Sequence, residues 1–211
     1  MPKIVDHDAR RAELAAAVWR LASRESLDAV TMRAVAAEAG WSTGALAHYF
    51  ADKEDLLLFA FETVADRVGR RVVKAAEEAR DPLALLRTQL VEGLPLDAER
   101  QAEVRVWFAF LGLAESRPRL ARAGRDAYRL WRDRVAKTLG AGQRQGVVDE
   151  AIDPEREAAA LIALVDGLAV QAAFEPRGLT KDRQLELLDE RLGGLRAPAG
   201  ATHPPASAGA H

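Results

Sequence analysis

The four histidines of this 211-residue chain stand at His7, His48, His203 and His211, and there is no cysteine. Acid–base or nucleophilic catalysis needs such groups held beside a partner, yet two of these histidines fall in a tail of Gly, Ala, Pro and Ser. No pair has the HExxH spacing of a metal site. Thiolate zinc sites and disulfides are excluded, which suits a reducing cytoplasm. The expectation is a protein that is not an enzyme and has no metal and no cofactor.

Another kind of chemistry is concentrated in residues 31–50, TMRAVAAEAGWSTGALAHYF. Thr31 can cap a short helix ending near Ala39, Gly40 and Trp41 interrupt it, and Ser42 can cap a second helix over residues 43–50. Two short helices around a glycine turn have the spacing of a helix-turn-helix, whose second helix enters the major groove of DNA. Val35, Ala36 and Ala39 would pack on Leu46 and Phe50. Thr43, Gly44 and Ala45 are small, so the start of the second helix could approach base edges and phosphates closely. A helix, glycine and helix also occur in plain bundles, so the pattern alone leaves DNA binding open.

The elements that would position this segment read as helices throughout, because Ala, Leu, Glu and Arg dominate and no alternating strand pattern competes. A first helix is expected over about residues 8–24, with Leu14, Val18 and Leu21 on one face. Asp52 caps a fourth, which carries Leu56, Phe59, Ala60, Val64 and Val68 and reaches about residue 79. Asp81–Pro82 opens a fifth, closed by Gly93 and Pro95. Further helices are expected over about 97–114, 118–140, 154–174 and 180–192. The boundary falls near residues 52–54, giving units 1–52 and 53–192, and residues 193–211 have too few large apolar side chains to offset their ordering entropy. That tail is expected to be disordered.

No apolar run approaches a membrane span, and the charged start is unlike a signal peptide. A soluble cytoplasmic protein, with no membrane partner, is the expectation. The formal net charge of −2 means that any DNA contact rests on local placement of charge. The arginines at 117, 119, 122, 125, 129, 132 and 134 are interleaved with Glu115, Asp126 and Asp133 and read as a solvated face.

Thr31, Ala36, Gly40, Ser42, Gly44, Leu46, His48, Tyr49, Phe50, Lys53 and Leu56 together resemble the N-terminal signature of the TetR family of bacterial regulators. Asp166, Gly167 and Leu168, followed by Gln171, are similar to a late helix of that family, and the His48–Tyr49–Phe50 ending most resembles its choline-betaine repressor subgroup. The resemblance implies an all-α fold: a three-helix DNA-binding domain, a connecting fourth helix, and a C-terminal bundle with an effector pocket and a dimer face. By position it implies that Thr43 contacts a base edge, and that Thr31, Ser42, His48, Tyr49 and Lys53 contact mainly phosphates. Ala47 departs from the pattern, standing where many members carry an aromatic residue that touches DNA; Arg33 or Trp41 could compensate. His48 could equally be a solvated histidine, and Tyr49 a packed ring with a wet hydroxyl.

Trp107, Phe108 and Phe110 share one expected helix and Tyr128 and Trp131 the next, so these rings either form ordinary core or converge on a cavity able to bind a quaternary ammonium group. Asp166 is either a partnered buried carboxylate or, with Gln171, a pocket residue. Residues 158–174 are apolar nearly all round, so that helix must be buried on more than one side. Leu161, Leu164, Val165 and Leu168 either pack within the subunit or, as the resemblance favours, meet a twofold mate. The function expected is a ligand-released repressor acting as a homodimer on palindromic, double-stranded operator DNA. The alternative is a helical protein-interaction module without DNA binding, made conceivable by the near-neutral charge and by Ala47.

Overall fold

The structure is a computed structural model that describes residues 7–25 and 29–198. Among these residues it contains nine helices and no strand: α1 (His7–Arg24), α2 (Met32–Ala39), α3 (Thr43–Leu46), α4 (Lys53–Glu78), α5 (Pro82–Val91), α6 (Ala98–Ala114), α7 (Pro118–Arg144), α8 (Pro154–Phe174) and α9 (Lys181–Gly193).

The starts follow local chemistry. Thr31, Ser42, Asp52, Asp81, Asp97, Asp153 and Thr180 each accept a hydrogen bond from a first-turn N–H of the helix they precede. Prolines at the start of α5, α7 and α8 occupy positions whose N–H has no helical partner. Helix α2 ends in a Schellman turn: Trp41 N–H donates to the Ala36 carbonyl and Gly40 N–H to that of Ala37. Gly40 sits at φ 72°, the left-handed region a glycine enters without a Cβ penalty.

Two hydrophobic cores result. One joins Leu14, Val18 and Leu21 of α1, Val35 of α2, Leu46 of α3 and Leu56, Leu57 and Phe61 of α4 with Val106 and Phe110 of α6 and Leu120 of α7. The other joins α5, the second half of α7, α8 and α9 around Leu86, Leu90, Leu139, Leu161, Val165 and Leu188.

Three expectations are corrected. Helix α7 runs to Arg144 rather than stopping at residue 140. The helix passes through Gly140, and Gly142 beyond it is buried, where a Cβ would lie 2.5 Å from Val148 Cγ2, so that glycine makes room for Val148. Secondly, the chain stays ordered beyond residue 192. Leu195 is buried at 1% exposure, Asp149 N–H donates to its carbonyl, and Ala197 N–H donates to that of Val147. Residues 199–211, also expected to be disordered, lie outside the described residues. Thirdly, α8 does have the length and apolarity of a membrane span: it is 21 residues long, and an 18-residue stretch of it has a mean hydropathy of 1.6. Its Ala158, Leu161, Ile162, Val165 and Leu168 are nevertheless buried in the second core.

Candidate DNA-reading surface and effector site

Helix α3 is one turn long and depends on its flanks. Its last expected turn is tightened: His48 N–H donates to the Ala45 carbonyl and Tyr49 N–H to that of Leu46, so regular helix ends at Leu46 rather than residue 50. Leu46 and Phe50 are buried against α2 with Val35 and Ala36, and Ala39 packs on the same core, as the sequence pattern required. The opposite side is open. Arg33, Ser42, Thr43, Gly44, His48 and Lys53 are exposed, and Thr31, Trp41, Ala45 and Tyr49 are half-buried.

Thr31 Oγ1 accepts from Ala34 N–H at 3.2 Å and Ser42 Oγ from Ala45 N–H at 3.1 Å. Each hydroxyl therefore uses a lone pair to cap its helix and keeps its proton, the half that a phosphate oxygen accepts. Trp41 and Tyr49 rings pack tilted with centroids 5.3 Å apart, and the Arg10 guanidinium lies 4.8 Å over the Trp41 ring. That arrangement reconciles the two readings of Tyr49, a packed ring at the edge of the open face. Arg10 was not singled out from the sequence; it lies on α1, and only folding brings it to Trp41.

In the second half of the molecule, Tyr128 of α7 donates a hydrogen bond to Asp166 Oδ2 of α8 at 2.7 Å. Trp107 meets the Tyr128 ring edge-on at 5.0 Å, and Phe61 stacks on both Trp107 and Phe110. Phe110 is fully buried, so it is core. Trp131 lies against the α5–α6 connection, where a Cβ on Gly93 would fall 3.1 Å from its ring. Phe108 is half-buried and Gln171 is exposed. The structure thus brings Trp107, Phe110, Tyr128 and Asp166 into one cluster and leaves Gln171 on the surface. Phe61 is the member that sequence reasoning missed. Its spacing from Leu57 was the available signal, a second apolar edge on α4.

Burial pushes the Asp166 carboxyl above its ordinary range, only partly opposed by the Tyr128 hydrogen bond. The Tyr128 hydroxyl is likewise raised, by burial and then by that carboxylate. A carboxyl whose folded pKa exceeds its unfolded one stabilises the fold fully below the unfolded value, about 3.9, and that contribution is lost as pH rises through the folded value. Asp166→Asn keeps an acceptor for Tyr128 and removes the titration. The stability of the variant relative to the native protein is therefore expected to increase as pH rises above the ordinary carboxylate value of about 3.9, as read by urea midpoints. Parallel pH profiles would show that Asp166 does not titrate differently in the fold.

Leu161, Val165 and Leu168, expected on a dimer face, are at 0–4% exposure inside the second core, and Leu164 is half-buried there. The apolar side of α8 left outside is a different one: Ala160, Ala163, Val170 and Phe174 are exposed and Gly167 half-buried, with Phe174 87% exposed.

Residues 14–59 match the family described as bacterial regulatory proteins, tetR family, and residues 82–197 match the BetI-type transcriptional repressor, C-terminal. The chain belongs to the tetR family of bacterial regulatory proteins. Its C-terminal half is of the BetI type, the subgroup that the His48–Tyr49–Phe50 ending resembles. HTH-type transcriptional regulator PksA of Bacillus subtilis (strain 168) is 34% identical over 184 residues, which cover 87% of this chain and 88% of that protein. HTH-type transcriptional regulator BetI of Burkholderia mallei (strain NCTC 10229) is 31% identical over 205 residues, 94% of this chain and 99% of that one. A transcriptional regulator from Saccharomonospora viridis, solved in complex with choline, superposes with a TM-score of 0.79 at 27% identity, covering 88% of this chain and 96% of its own. The protein is a DNA-binding transcriptional regulator and not an enzyme.

Proposed function

We propose that this regulator is a cytoplasmic, homodimeric repressor released from a near-palindromic operator by a small cationic effector. The observation that carries the reading is the open start of α3: Ser42, Thr43 and Gly44 are exposed, with Arg33, His48 and Lys53 exposed around them. Thr43 and Gly44 approach base edges, with Ala45 just behind. The hydroxyls of Thr31, Ser42 and Tyr49, the Trp41 edge, His48, Arg33 and Lys53 meet the backbone. Two such units about 34 Å apart fit successive major grooves, and a bound dimer obstructs polymerase.

The outward stripe of α8, Ala160, Ala163, Gly167, Val170 and Phe174, recurs at alternating steps of three and four and supplies the self-complementary surface that a twofold pair needs. The inner cluster of Trp107, Tyr128 and Asp166 offers aromatic faces and a carboxylate to a cation, backed by the buried ring of Phe110. The choline held by the Saccharomonospora relative belongs to the same chemical class. Because Phe61 of α4 stacks on Trp107, a ligand that displaces these rings displaces the helix joining the cluster to the DNA-reading unit.

The test is a duplex selected from a randomised pool by the native protein. Replacing both Lys53 and Tyr49 with alanine is expected to weaken binding at least about tenfold and to make its salt dependence shallower, since a phosphate contact is lost. Indifference to both changes would return the protein to the class of interaction modules. Choline at millimolar concentration should release the duplex, and unchanged affinity would remove the cationic effector from the reading.

A further inference from the structure

The start of α4 presents a local conflict. Asp52 caps the helix, with its Oδ1 2.8 Å from the Asp55 N–H, and Asp55 reaches back to accept from Ala51 N–H at 3.0 Å. Together with Glu54 they place three carboxylates on the first turn, which suits the helix dipole. The same three charges flank Lys53, whose task in the proposed reading is to meet phosphate, and carboxylates beside a DNA backbone are repelled. A chain with a formal net charge of −2 has no general basic excess to mask them.

One side chain answers all three. Arg119, in the first turn of α7, sets Nη1 3.1 Å from Asp52 Oδ2 and 3.8 Å from Glu54 Oε2, and its Nη2 donates to Asp55 Oδ1. The contact holds the Asp55 carboxyl below the usual carboxylate range. The pairs are partly exposed, with 50% of the Arg119 side chain and 52%, 29% and 27% of the Asp52, Glu54 and Asp55 side chains accessible, so their worth to folding is small. Their worth to DNA binding is separate, because the guanidinium changes the charge that an approaching phosphate meets. With Arg119 in place the three carboxylates, Lys53 and Arg119 leave one net negative charge; without it they leave two.

We infer that Arg119, a residue of the effector half, sets operator affinity by neutralising the acidic first turn of α4 beside Lys53. The inference rests on the DNA-binding reading of Lys53. It also gives regulation a physical handle. Arg119 and Tyr128 lie on the same helix, nine residues and therefore about 13.5 Å apart along its axis. A ligand at Tyr128 that shifts α7 withdraws the guanidinium and restores the repulsion, with no change required in the helix-turn-helix itself.

The experiment uses the full chain and a duplex selected from a randomised pool by the native protein. Arg119→Gln is expected to weaken binding about three- to fivefold, the size of one exposed charge interaction. The deficit should shrink as added salt screens it, while the thermal melt stays near that of the native protein. Arg119→Lys should recover most of the affinity, and so should Glu54→Gln combined with Arg119→Gln, which returns the local charge to its native value. Native affinity in Arg119→Gln overturns the inference. A loss that is indifferent to salt and rescued by neither variant also overturns it, since the role would then be steric. Failure of the native protein to select any duplex would instead remove the underlying reading.

Discussion

Truncating Glu103 to alanine is expected to cost the fold about 3–5 kcal/mol, the range found when one partner of a buried ion pair is removed. Glu103 is 3% exposed. It accepts from both terminal nitrogens of Arg71, Nη1 at 2.9 Å, and lies 3.8 Å from Arg67 Nε. Arg71 also donates from Nε to Glu92, itself 6% exposed and bonded by Arg100. The guanidiniums of Arg67 and Arg71 come from α4 and that of Arg100 from α6, and the carboxylates come from the end of α5 and from α6. Losing Glu103 leaves Arg71 and Arg67 with desolvation that Glu92 and Glu99 alone do not offset, so α4 loses a fixed position against α6. Denaturant unfolding measures the loss. Arg71→Met combined with Glu103→Leu should recover part of it, because an apolar pair of similar volume avoids the desolvation of both charges while Glu92 keeps its bond from Arg100. If the double variant is as unstable as Glu103→Ala, packing rather than charge holds this junction.

None of this network is visible along the chain, whereas the helix starts are. A cap is a contact over three residues, so Thr31, Ser42 and Asp52 could be assigned from their types and spacing alone, and the helices of the motif could be placed at their starts, though the second ends at Leu46 and not at residue 50. Gly142 shows where that ends. A glycine that stops a helix and one that leaves space for Val148 look alike until the partner is known. Leu195 makes the same point, since it is ordered by main-chain pairing with residues 147–149, almost fifty positions away, which composition cannot register. In α8 the periodicity showed an apolar helix on all sides but not which side the subunit itself would use. The residues left both readings open, the resemblance favoured Leu161, Leu164, Val165 and Leu168 as a dimer face, and the second core took them. The residues proposed to face DNA could be named together because one motif carries them, while Phe61, Arg10 and Arg119 join their neighbours only through contacts between distant helices.

The largest functional loss is expected from a residue with no access to DNA. Leu46 is fully buried and is the only buried residue of α3, a helix of four residues. A single turn cannot sustain itself in water, because nucleation fixes several residues for one hydrogen bond. The geometry of Thr43 and Gly44 is therefore inherited from the seat of Leu46 among Val35, Ala36 and Phe50, together with the hydrogen bonds that its carbonyl accepts from Tyr49 and Phe50 at 2.9 and 3.2 Å. Leu46→Ala is expected to destabilise the protein by about 2–5 kcal/mol through the lost transfer energy and the cavity left behind. It should also abolish selective binding at temperatures where the second core, which does not include Leu46, is still folded. Thr43→Ala supplies the contrast: its side chain is exposed, so it should lower affinity for the selected duplex while leaving the melting temperature unchanged. Circular dichroism and duplex binding on the same samples separate the two. Native affinity in a destabilised Leu46→Ala protein would mean that DNA itself, and not the apolar seat, orders the reading turn.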